Sequence, residues 1–125
     1  MIKNYAVIEV ATGEVTNTIV KDSMDQGWQP EVGSILLEIV PSQNYTTASV
    51  TNGEKSVTVS GATLITLGIK VGQGCILGDS DTLYKIASIT GETTFTIDIN
   101  YDGATVTSDG RCFIRSISIG DVIVV

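Results

Sequence analysis

Cys75 and Cys112 are the only thiols in this sequence, and histidine is absent altogether. Without an imidazole the chain has no Ser-His-Asp or Cys-His nucleophile arrangement, no histidine-ligated zinc and no neutral-pH base of the commonest kind. The two cysteines are too few for a disulfide framework and too far apart for a zinc knuckle. Neither has a neighbouring base or cationic cluster in sequence to lower a thiol pKa. Both read as small buried hydrophobes.

Carboxylates offer the remaining chemistry. Gly78-Asp79-Ser80-Asp81 places Asp79 and Asp81 one residue apart in a turn, a spacing that can donate oxygens to calcium. A calcium loop needs several more oxygens at defined offsets, and Asp and Gly are ordinary turn residues, so turn chemistry is the stronger reading of the pair. Asp98 and Asp102 are a formal carboxylate pair for glycoside hydrolysis, but no aromatic sugar groove accompanies them. The expectation is a non-enzymatic protein with no cofactor. Trp28, in Gln26-Gly27-Trp28-Gln29-Pro30, either anchors a protein contact or covers an apolar face. Val122, Ile123, Val124 and Val125 form an apolar β-run that pairs within a sheet, its own or a neighbour's, and with Trp28 they are the interface candidates.

The elements that would position these residues are strands. Lys3 to Val10 alternates, Ala11-Thr12-Gly13-Glu14 has hairpin turn chemistry, and Val15 to Val20 returns. After a loop holding Gly27, Trp28, Pro30 and Gly33, Ser34 to Val40 reads as a third strand. Such a meander is too small to stand alone and needs a cover for its apolar face. From residue 48 onward come Ser49–Thr51, an Asn52-Gly53 turn, and Lys55–Ser60 with Val57 and Val59 on one face. Ala62–Gly68 leads into Ile69–Leu77, and strands follow at Thr82–Thr90, around Phe95, Ile97 and Ile99, at Arg111–Ile119 and at Val122–Val125. The fold class expected is all-β: a three-stranded meander over residues 1–41, then a small barrel or sandwich over residues 42–125.

Composition agrees. The chain has 125 residues, enough for one domain that buries its own core, and Val, Ile, Thr, Ser and Gly dominate it. The net charge of −7 divides into about −4 before residue 41 and about −3 after it, with lysines and arginines scattered singly. A chain without a basic stripe is not expected to bind nucleic acid. No apolar run approaches the roughly 20 residues that span a bilayer, and the first residues lack the pattern of a secretory signal. No membrane partner is expected, and synthesis in a cytoplasm is.

Two stretches resemble small β-rich virion accessory proteins of tailed bacteriophages. Asn4-Tyr5-Ala6-Val7-Ile8-Glu9, then Gly13 to Val20, then Trp28-Gln29-Pro30, is similar to the opening of many phage tail-region proteins. Ser56 to Gly61, Ile69 to Gly72, Leu83 to Thr90, Thr93 to Ile97 and Tyr101 to Val106 are similar to a β-module of tail fibres and other virion accessories. That module reads V-T-V-x-G, V-x-x-G-D, Y-x-I-x-S-V-T, T-x-L-T-L and Y-x-G. The chain departs from it at Gln73, where Asp is usual, and at Phe95, where Leu is usual. The resemblance implies a virion component of the tail, neck or fibre, or a capsid decoration or cement protein. It would dock on other virion proteins, either capsid or tail, and self-associate as a homo-oligomer, trimers being common in fibres and decoration proteins. Made in a bacterial host cytoplasm, it would end in the virion. The alternatives are a glycan- or receptor-binding module using Gly78–Asp81 and the Asp109-Gly110-Arg111 loop, or a tail-fibre assembly chaperone.

Overall fold

The computed structural model describes residues 2–22 and 33–124. Trp28, its loop and Val125 lie outside the described residues.

The chain is all-β in two sheets. Strands β1 (Ile2–Glu9), β2 (Val15–Asp22) and β3 (Ser34–Glu38) form an antiparallel sheet in the order β2-β1-β3. Alternation decides which face is buried: Ala6 and Ile8 of β1 are fully covered, while Tyr5 and Val7, which alternate with them, are only partly buried. The β1–β2 hairpin closes through Gly13, whose φ of 75° suits glycine.

Strands β4 (Gln43–Val50), β5 (Ser56–Val59), β6 (Gly74–Leu77), β7 (Tyr84–Ile89), β8 (Thr94–Ile97) and β9 (Val106–Ile114) close into a barrel in the order β4-β5-β8-β7-β6-β9. Closure pairs every strand on both sides and removes the open edges of a flat sheet. Val57, Val59, Cys75, Leu77, Tyr84, Ile86, Phe95, Ile97, Cys112 and Ile114 fill the interior. The β4–β5 hairpin turns at the expected Asn52-Gly53, where Asn52 Nδ2 of the side chain also donates to the Gly103 carbonyl at 2.8 Å.

Several boundaries differ from the sequence reading. A single helical turn, α1 (Leu64–Leu67), stands where only a strand-like apolar run was visible, and it buries Leu64 into the barrel. The strand expected at Arg111–Ile119 is β9, which begins at Val106 and ends at Ile114, so Asp109, Gly110 and Arg111 lie within a strand rather than in a loop. Crowding explains this placement: a Cβ on Gly110 would sit 2.3 Å from Val106 Cγ2, so the bulged β9 can cross β4 here only without a side chain. Ile99 lies beyond the end of β8 and is exposed, unlike Phe95 and Ile97.

Residues 116–124 leave the barrel and return to the first sheet. Ile117 and Ile123 join Ala6, Ile8 and Val15 in a second apolar core, with Leu37 and Ile39 packed against it. This tail is the cover that the meander needed. Burial of each isoleucine is worth roughly 1.5–3 kcal/mol.

Candidate functional site

Three places gather polar or reactive side chains, and the first lies at one end of the barrel. The β6–β7 loop carries Asp79 and Asp81, and the β8–β9 loop carries Tyr101 and Asp102. Asp79 Oδ1 accepts the Ala104 amide at 2.9 Å and the Tyr101 hydroxyl at 3.4 Å, which ties the two loops together. Asp81 is exposed. Among the described residues no three Asp, Glu, Cys or His side chains converge to hold an ion. Turn anchoring is what Asp79 does.

Asp102 is the better-partnered carboxylate, and the sequence reading missed its role. Its Oδ1 accepts the Tyr84 hydroxyl at 2.7 Å and the Ser80 hydroxyl, and its Oδ2 accepts the Thr82 hydroxyl at 2.7 Å. Those bonds favour the ionised form, with Ser80 the largest cause, and hold its pKa down to about 2. Asp98 instead accepts the Lys85 amide at 2.9 Å. The two carboxylates each serve a separate anchoring task, as turn chemistry suggests.

A pH dependence follows from Asp102. Its folded pKa lies below the ~3.9 of an unfolded aspartate, so its stabilising effect is fully present above about pH 4. The effect is lost as pH falls through about 2. Melting curves of wild type and Asp102→Asn should thus show a constant gap from pH 7 to pH 5 that narrows below pH 4. A gap independent of pH would place the effect of the substitution elsewhere.

The second place is the barrel interior. Cys75 on β6 and Cys112 on β9 are free, buried thiols. Burial pushes the Cys112 thiol up to about 12. It raises that of Cys75 as well, with a further push from Cys112 and Asp98 that Lys85 partly offsets. Thiolate is scarce at either sulfur near neutral pH, which makes Cys75 a poor nucleophile. Both cysteines are expected to stay unlabelled by a thiol reagent in the native protein and to react together on denaturation. Rapid native labelling of one of them would mean that the barrel opens at that strand.

The third place is the joint between the sheets. Asp121, with its side chain only 3% exposed, accepts Lys85 Nζ at 2.9 Å and Arg115 Nη2 at 2.5 Å on Oδ1. Its Oδ2 accepts the Ser118 amide at 2.9 Å. Gln73 lies beside them, fully buried, accepting the Lys70 amide at 2.7 Å and donating to the Arg115 carbonyl at 3.0 Å. An aspartate at that position would be shorter and could not donate, so glutamine has a local use here.

Comparisons with protein-family models, curated proteins and solved structures find no match. Function must then be read from surfaces. Of the terminal residues taken as interface candidates, Val122 and Val124 are 58% and 62% exposed, whereas Ile123 is 2% exposed. Period-two alternation separates them: Val122 pairs with Glu14 in a β-bridge, so Ile123 must face inward. Ile123 belongs to the chain's own core and is not an interface residue. Beside the tail, a groove of about 530 Å³ is lined by Thr18, Ile19, Val20, Ile39, Ile117 and Ile119. Val20 and Ile119 are among its exposed apolar side chains.

Proposed function

We propose that this chain is a non-enzymatic structural protein of a tailed-phage virion, acting by docking and self-association as a tail, neck or fibre component or as a capsid decoration. The observation that carries the reading is a division of labour in the fold. A closed barrel supplies rigidity, while the attached sheet keeps two edge strands, exposed Val20 of β2 and Ile119 of the tail line one groove, and the tail's Val122 and Val124 are exposed to solvent as well. Apolar side chains gathered next to an open strand edge mark a contact surface. The motif resemblance supplies the virion.

Antibody labelling of intact particles purified from the encoding source tests this reading. Label over the head shell would make the protein a capsid cement, and label confined to tail, neck or fibres would make it a tail accessory. Absence from both overturns it. Sedimentation of the purified chain tests self-association separately, and a monomer at every concentration would remove that part.

A further inference from the structure

We propose that residues 116–124 are a strap whose docking decides whether the first sheet is folded, so that the sheet comes undone locally while the barrel stays closed. The two sheets have separate apolar cores, one inside the barrel and one between β1, β2 and the tail. The densest strand-to-strand contacts all lie within one sheet or within the other. The strap is bonded to both, alongside the short β3–β4 connection, whose Ile39 packs on the second core and Val40 on the barrel core. On the meander side, the Val15 amide donates to the Asp121 carbonyl at 2.8 Å, Gly120 to the Val15 carbonyl at 2.9 Å, and Ile123 to the Gly13 carbonyl at 2.8 Å. On the barrel side, the Val124 amide donates to the Val71 carbonyl at 3.0 Å, and the Asp121 carboxylate holds Lys85 of β7 and Arg115 just after β9.

Both surfaces are shaped for the strap's backbone. A Cβ on Gly13 would lie 2.5 Å from the Ile123 carbonyl oxygen, and one on Gly72 would lie 1.8 Å from the Val122 carbonyl oxygen. Two glycines far apart in sequence thus leave room for one passing segment. The consequences of losing it are unequal. The barrel keeps a closed hydrogen-bonded ring and its own interior, and the Lys85 and Arg115 side chains are exposed enough to be hydrated. The meander is left with Ala6, Ile8 and Val15 on a bare face, a condition in which three short strands are marginal. Opening of the sheet is therefore a sub-global event that does not require the barrel to unfold.

Residue-resolved native-state hydrogen exchange on the full chain tests the strap. Ile123→Asp puts a carboxylate into the second core, and Ile123→Ala is a milder form should the first fold poorly. Each is expected to speed exchange of the β1 amides at least tenfold while amides of β7 and β8 stay within about twofold of wild type. Ile97→Ala, in the barrel, should instead speed β7 and β8. The proposal fails if the Ile123 variants accelerate barrel amides by the same factor as β1, since the chain would then be one cooperative unit. It also fails if β1 is unaffected, since the sheet would then hold without the strap.

Discussion

Asp121→Ala is expected to cost about 3 kcal/mol of docking stability. Three bonds converge on this carboxylate, two from cations and one from the Ser118 amide, and its side chain is only 3% exposed. Removing one partner of a buried ion pair costs about 3–5 kcal/mol when the abandoned charge stays buried. Here Lys85 and Arg115 are 38% and 31% exposed, so water can recover part of their solvation and the lower end of that range applies. Arg115 recovers less than Lys85, because its Nε is buried and without a partner among the described residues. Lys85→Met should therefore cost about 1 kcal/mol or less, as for a partly exposed pair. Urea unfolding followed through the first sheet reads both values. If the two substitutions cost the same, the Lys85 contact carries the joint and the bonds from Arg115 and Ser118 add nothing.

Sequence patterning reached the architecture because strands advertise themselves at period two. Ala6 and Ile8, Val57 and Val59, and Phe95 and Ile97 each fall on the buried face that alternation assigns. The Asn52-Gly53 and Gly13 turns were equally legible, since few residues tolerate the backbone those turns demand. What alternation could not show is which residues meet across long sequence distances. Asp121 looked like a break between strands, and nothing local tells that its carboxylate reaches Lys85, 36 residues earlier. Asp102 has the same character, being bound by hydroxyls from Ser80, Thr82 and Tyr84 on another loop and strand. The one-turn α1 escaped because Leu64–Leu67 is too short to display a helical period. The Val122–Val124 run did signal pairing, but only its bridge to Glu14 fixes which of its side chains face out.

Gly72→Ala is the substitution expected to do most damage. Gly72 has a φ of 103°, a conformation costing an alanine roughly 1–2 kcal/mol by itself. The added methyl would also sit 1.8 Å from the Val122 carbonyl oxygen, 2.8 Å from its carbon and 3.1 Å from Ile123 Cα. All three are backbone atoms of the strap, so no side-chain rotation relieves the contact and the strap itself must move by more than an ångström. Moving it breaks the short bonds from Ile123 to Gly13 and from Val124 to Val71 and withdraws Ile123 from its core. Each lost bond is worth about 1 kcal/mol and the isoleucine more, giving a total of about 4 kcal/mol. Followed through the first sheet, whose docking the strap decides, that lowers the melting temperature by more than about 10 °C. Gly61→Ala isolates the backbone part: Gly61 also has positive φ, at 80°, but its Cβ position has nothing within 4 Å. Only strain is paid there, about 1 kcal/mol and a few degrees. Equal melting losses for the two variants would show that the space beside Gly72 is not filled by the strap, and the account of how the two sheets are joined would fall with it.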